Sequence, residues 1–333
     1  MRSLLRLFIS GLILFTFISC GPKTDDTDQI VISVIPKGTT HVFWQSVHAG
    51  ALKAGKEFNV DITWLGTEKE DDRQQQIALV DNQVMNQVDG IVLAPLDAMA
   101  LRRPVQNAVK NNIPVIIIDS GLENAEDVYT SFIATDNRKG GRIAGKKLAE
   151  MLNKKGKVVL LRYSEGSAST ENREEGFLEK LREYPDIEVV SSEQYGGVTR
   201  ASGQQASENL LLRFKNSSGK LVIDGIFTPN TSTTYGMLQA LKRQNLVGKV
   251  KFVGFDAEDP LIDGMREGAI HGLVIQDPFK MGYLGVKMMI EKLNGKSVQK
   301  RIDTGVTFIE LEDLERVEIK ELISPNLDKW LNQ

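Results

Sequence analysis

Cysteine is nearly missing from this chain: Cys20 is the only one in 333 residues. With no second thiol there is no internal disulfide, so the fold makes no demand on redox compartment. Histidine is almost as scarce. His41, His48 and His271 are scattered, and with one cysteine they make a poor set of metal ligands. No basic block is present either. Forty-one Lys and Arg stand against 44 Asp and Glu, for a net charge of −3; setting aside the first nineteen residues, which carry Arg2 and Arg6 and no acid, leaves −5. A mildly acidic chain without a basic stripe is not built to hold nucleic acid. Nucleotide and nucleophile signatures are missing too. There is no GxxxxGK[ST] loop and no GxSxG elbow, and the glycines of "KGGRIAG" neither follow the first strand nor have an acid spaced for a ribose.

What is present begins with a leader. Arg2 and Arg6 precede the apolar run "LFISGLILFTFIS", a basic start and a short hydrophobic stretch that read as a secretory signal over residues 1–19. The stretch "FISC" resembles the lipobox of bacterial lipoproteins, with Phe17 where that motif usually has Leu. The resemblance implies that Cys20 is lipidated as the first mature residue, which would tie an exported protein to the membrane of the bacterial cell envelope. Residues 20–29 are polar and unpatterned after the cysteine and read as a tether.

The remainder is written twice. "QIVISVIPKG" (29–38) is answered by "KVVLLRYSEG" (157–166), "VDGIVLAPLD" (88–97) by "IDGIFTPNTS" (223–232), and "IPVIIIDSG" (113–121) by "VKFVGFDAE" (250–258), at offsets of 128, 135 and 137 residues. The strands in these copies are continuous apolar runs, as in parallel sheets covered on both faces. Helical patterns lie between them. "QQQIALVDNQVMNQ" puts Ile77, Val80, Val84 and Met85 on one stripe, Pro104 and Pro260 fall in first turns, and "DNRKGGRIAGKKLAEML" opens behind an Asp or Asn cap. The fold class expected is α/β, with two doubly wound parallel-sheet domains.

Ligands of open α/β sheets sit beyond the carboxyl ends of the strands. Lys37, His41, Phe43 and Trp44 fall there after the first strand, Ser164 and Arg173 after the first strand of the second copy, and Asp119 and Asp256 after corresponding later strands. If the copies face each other, these side chains share one cleft. His48 and Trp64 read as structural, and the "KEDD" run as a solvated loop, with Glu70 or Asp71 at the cleft rim as the lesser alternative.

The segments "IPVIIIDSG", "FIATDNRKGGRIAG", "GSASTENREEGF" and "VGFDAEDPLIDGMREG" resemble, in order, those of periplasmic substrate-binding proteins of ABC sugar importers, most closely the ribose-binding type. The resemblance covers residues 30–310. It implies a type I periplasmic binding protein, no catalysis and no cofactor, a monosaccharide or polyol as ligand, an ABC permease as partner, and a monomer. It further implies that Phe43 and Trp44 wall one face of a sugar ring, Asp119 accepts from ring hydroxyls, Thr135 lies near the hinge, Arg173 donates to sugar oxygens, and Asn230, Phe255, Asp256 and Gln276 complete the lining. His41 stands where ribose binders have Asn, Ala94 replaces another Asn, and Ser120 replaces an Arg beside Asp119. A three-stranded hinge would divide the chain into one lobe of 30–135 plus 277–304 and another of 136–276 plus 305–310, with 311–333 as an extension in which Trp330 packs on a surface. Lys37, His41 and Arg173 keep a sugar acid open as ligand, while Asp119 and Asp256 favour a neutral one. A receptor subunit for a membrane kinase or chemoreceptor, and a glycosidase built on the two aspartates, are the alternatives to transport.

Overall fold

The structure is a computed structural model and describes residues 29–332. The expected leader, Cys20 and all of the tether but its last residue lie outside the described residues. The first stretch runs β1 (Val31–Ile35), α1 (Val42–Phe58), β2 (Asp61–Trp64), α2 (Arg73–Met85), β3 (Gly90–Leu93), α3 (Arg102–Lys110), β4 (Val115–Ile118) and β5 (Ser131–Ala134). Next come α4 (Asn137–Met151), β6 (Gly156–Arg162), α5 (Ala168–Leu181), β7 (Ile187–Tyr195), α6 (Arg200–Arg213), β8 (Gly225–Phe227), α7 (Thr231–Arg243), β9 (Lys251–Phe255), α8 (Asp259–Arg266) and β10 (Gly272–Ile275). The chain ends with α9 (Pro278–Leu293), β11 (Arg301–Asp303), β12 (Thr307–Ile309), a 3₁₀ turn, α10 (Val317–Ile323) and α11 (Asp328–Leu331).

Two six-stranded sheets result, ordered β11-β5-β4-β3-β1-β2 and β12-β10-β9-β8-β6-β7. The first is parallel throughout, whereas in the second β12 runs antiparallel to β10. Parallel neighbours need crossover connections, which α1, α3, α5 and α7 supply, and the apolar runs GIVL of β3 and VIII of β4 are buried along their whole length. The chain passes between the sheets three times, after β5, after β10 and between β11 and β12. Each sheet reverses its winding at its first strand, β1 or β6, and a cleft opens beyond the carboxyl ends there.

Strand register corrects one of the three repeat offsets. Ile32 lies opposite Gly90 and Val158 opposite Gly225, so with β3 and β8 matched at 135 the first strands correspond at 126 residues rather than 128. Tyr163, and not Ser164 or Glu165, therefore takes the place of Lys37.

The stripe expected on α2 is also corrected. Val80 and Val84 are buried, but Met85 is 73% exposed, and Gln76 and Gln83 complete the inner face. The Gln76 amide donates to the carbonyls of Pro36 and Ala94 and accepts from the Leu96 N–H, joining the ends of β1 and β3. Gln83 accepts from the Ser33 hydroxyl. A fully partnered amide such as that of Gln76 is at home in a core, so periodicity of apolar residues alone misplaced this face.

Asp72, Asp136, Asn230 and Asp277 each accept the N–H of the residue three further on, capping α2, α4, α7 and α9. Trp64 stacks on His48 with ring centroids 4.3 Å apart, which binds α1 to β2; burial lowers the His48 pKa. Beyond β12, Leu314 and Ile319 are buried in the core of the second sheet, and α11, with half-buried Trp330, lies against α1 of the first.

Candidate functional site

Asp119 and Asp256 mark the site by their backbone. Each follows a central strand, β4 or β9, and each is held in the left-handed region, at φ 60° and 69°. Asp tolerates that region better than most residues, but it still costs energy, and neighbouring strands must impose it. They do so alike: Asp119 N–H donates to the Ile133 carbonyl and Asp256 N–H to that of Val274. Both carboxylates line one cavity between the sheets, of about 380 Å³ with its mouth included.

The wall from the first sheet carries Lys37, His41, Phe43, Trp44, Glu70 and Asp119. The Lys37 ammonium lies 2.9 Å from Asp119 Oδ2 and donates across the cleft to the hydroxyls of Ser169 at 2.9 Å and Ser167 at 3.3 Å. Phe43 and Trp44 open α1 and meet edge to face, their centroids 4.8 Å apart. The opposite wall carries Tyr163, Ser169, Thr170, Arg173, Asn230, Thr231, Asp256 and Gln276. Arg173 donates from Nε to Asn137 Oδ1 (2.7 Å), from Nη1 to the Pro229 carbonyl (2.9 Å) and from Nη2 to Gln276 Oε1 (2.9 Å). Gln276 in turn donates to Asp256 Oδ1, and the Thr231 N–H and hydroxyl both donate to Oδ2. Burial pulls the guanidinium down from its ordinary pKa, opposed by the charges of Asp256 and Asp119.

Nine of the residues expected from sequence line this cavity: Lys37, His41, Phe43, Trp44, Asp119, Arg173, Asn230, Asp256 and Gln276. Four do not. Ser120 is buried beneath it, its hydroxyl accepting the Ser169 N–H from the other side of the cleft. Thr135 sits where the chain crosses between sheets, 3.3 Å from the Gly305 carbonyl. Ser164 is half-buried outside the lining, displaced by the two-residue offset that puts Tyr163 there. Phe255 is fully buried and supports the cavity from behind, with the Arg173 guanidinium 3.9 Å above its ring. Sequence reasoning left out Tyr163, Ser169, Thr170 and Thr231, and set Glu70 aside as a loop residue. The correct repeat offset would have found Tyr163.

Beneath the second wall lies Glu174, its side chain only 1% exposed. Oε1 accepts the Tyr163 N–H at 3.0 Å; Oε2 has no hydrogen bond, with Arg162 3.5 Å away. Burial raises its pKa to about 7 from 4.5, against the pull of Arg162. A carboxyl raised on folding stabilises fully below its unfolded value, and that contribution is lost as pH rises through the folded one. Stability should therefore fall by about 3 kcal/mol between pH 4.5 and 8 on this account. Urea titrations across that range should show the slope in the wild type and its flattening in Glu174→Gln; parallel curves would refute it.

Two matched α/β lobes with polar and aromatic walls closing on a small cavity define a cleft-type binding protein. The chain belongs to the family of the periplasmic binding protein domain, whose model matches residues 32–297. It is similar to the ribose import binding protein of Haemophilus influenzae, 27% identical over 300 residues that cover 90% of this chain and 97% of the relative. Among solved structures it resembles a carbohydrate transporter solute-binding protein of Agrobacterium radiobacter in complex with D-arabinose, with TM-score 0.83 and 35% identity, covering 89% of this chain and 99% of that one. An ABC transporter solute-binding protein of Agrobacterium vitis with bound D-fucose gives TM-score 0.82 at 32% identity, covering 88% and 99%.

Proposed function

We propose that this protein captures a neutral monosaccharide or related polyol between its lobes and delivers it to an ABC importer. The observation that carries the reading is the convergence of Asp119 and Asp256, from equivalent strand ends, on one cavity walled by Phe43 and Trp44. Carboxylates accept from ring hydroxyls, and aromatic faces cover the C–H faces of the ring. Ribose, D-arabinose and D-fucose, named for the relatives, are neutral sugars.

Neutrality follows from how the cations are used. The three donors of Lys37 go to Asp119, Ser167 and Ser169, and Arg173 has only two of its five N–H groups uncommitted. A sugar carboxylate would thus face three acidic side chains with few free donors. The lobes take residues 30–135 plus 277–304 and 136–276 plus 305–310, and solute bridging both shifts the population toward the closed form. The protein works as a monomer, exported and held at the cell envelope through Cys20.

A thermal-shift screen of pentoses, hexoses, polyols and sugar acids tests the reading. A true ligand at a hundred times its dissociation constant adds about 2.7 kcal/mol of stability. Stabilisation is expected from a neutral member and from no sugar acid. A response to sugar acids alone, or to none of the four classes, would remove the proposal.

A further inference from the structure

Glu70 is the side chain in the cleft with the least obvious reason to be there. It belongs to the loop between β2 and α2, where Lys69, Asp71 and Asp72 are exposed, yet its own side chain is only 12% exposed. That loop is fixed to the one after β1. The Thr67 hydroxyl sits between the carbonyls of Lys37 and Lys69, and the Thr39 hydroxyl reaches the Thr67 carbonyl. Gly38 leaves the room: a Cβ there would stand 2.9 Å from Glu70 Cγ.

The carboxylate is used at both ends. Oε1 accepts the Trp44 indole N–H at 2.7 Å, and Oε2 accepts the Tyr163 hydroxyl at 2.7 Å. Trp44 belongs to the first lobe and Tyr163, 2% exposed, follows β6 in the second. His41 Nε2 lies 3.8 Å from Oε1. The bond to Trp44 fixes the plane of a cavity wall. The bond to Tyr163 exists only while the lobes are together, and it involves no ligand atom.

We propose that Glu70 is a positioning residue that orients Trp44 and, through Tyr163, latches the closed form independently of the ligand. For its effect on affinity the proposal rests on the sugar-binding reading; for its effect on closure it does not. Opening would leave a carboxylate and a phenol to be resolvated, and a hydrogen bond to a charged group is among the stronger ones available to the closed state.

The test compares wild type, Tyr163→Phe, Glu70→Ala and Glu70→Gln. Small-angle X-ray scattering of sugar-free protein reads closure, and stopped-flow dissociation of the sugar found in the screen reads release. Tyr163→Phe and Glu70→Ala are expected to enlarge the sugar-free ensemble and to speed dissociation about tenfold, with association little changed. Glu70→Gln keeps an acceptor for the indole and an amide for the phenol but gives up the charge, so it should fall between wild type and Glu70→Ala. Wild-type scattering and off-rate in both Tyr163→Phe and Glu70→Ala would overturn the proposal, as would Glu70→Gln behaving like Glu70→Ala. If no sugar binds the wild type, the functional reading fails, while the sugar-free scattering still decides the latch.

Discussion

Arg173→Ala is expected to weaken sugar binding by at least a hundredfold, the largest effect of any single side chain in the cleft. Three of its nitrogens hold Asn137, the Pro229 carbonyl and Gln276, and its face lies on Phe255. Truncation would remove more than the ligand donor proposed above. It frees Gln276, which orients Asp256, and leaves that carboxylate in a buried site without the opposing charge of Arg173. Removing one member of a buried, hydrogen-bonded charge set typically costs about 2–5 kcal/mol, and a hundredfold loss, about 2.8 kcal/mol, falls in the lower half of that range. Isothermal titration checks it, with circular dichroism as the control for folding. Arg173→Lys should recover only part of the loss, because an ammonium cannot reproduce three planar contacts. An alanine variant with wild-type affinity would mean that the ligand sits elsewhere.

The fold was legible because parallel strands buried on both faces leave an unbroken apolar signature, as in "IPVIIIDSG", and few other structures do. Asp119 and Asp256 were legible for a related reason: a polar residue ending such a run must emerge at the carboxyl edge of the sheet, where clefts form. What failed was finer than that. A slip of two residues between β1 and β6 keeps every side chain on its face, so matching apolar residues cannot detect it. Hydrogen-bond register can, and it exchanged Ser164 for Tyr163. Phe255, the last residue of β9, points behind Arg173 rather than past it, which no pattern in one sequence reveals. Glu70 was hidden among charged neighbours that are in fact exposed; it turns inward because Gly38 and Thr67 shape the loop beneath it.

The doubling of the sequence also reaches the helices, where it sets the second large expectation. In α4 and α5, a Cβ on Gly141 would lie 1.9 Å from the Arg173 carbonyl oxygen, and one on Gly176 would lie 2.1 Å from that of Arg138. In α1 and α9 the same exchange recurs, with Gly50 2.0 Å from the Phe279 oxygen and Gly282 1.9 Å from that of Val47. Each lobe thus brings two helix backbones into contact through paired glycines, and each crossing carries a cleft residue: Arg173 on α5, Trp44 at the start of α1.

Gly141→Ala is accordingly expected to destabilise the protein by about 2–4 kcal/mol, above the usual range for overpacking because the obstacle is main chain and cannot rotate away. For lobes of this size that lowers the melting temperature by about 5–10 °C. Gly295→Ala provides the contrast. At φ 74° it has no heavy atom within 4 Å of a new Cβ, so only backbone strain of about 1 kcal/mol is expected there. Differential scanning calorimetry of both variants separates the two costs. The methyl at position 141 pushes on the very residue that presents the guanidinium, so Gly141→Ala should also weaken sugar binding at temperatures where it remains folded, whereas Gly295→Ala should not. A Gly141→Ala protein that melts with the wild type would show that α4 and α5 can part without cost, and the backbone contact would then have no part in holding Arg173 over the cleft.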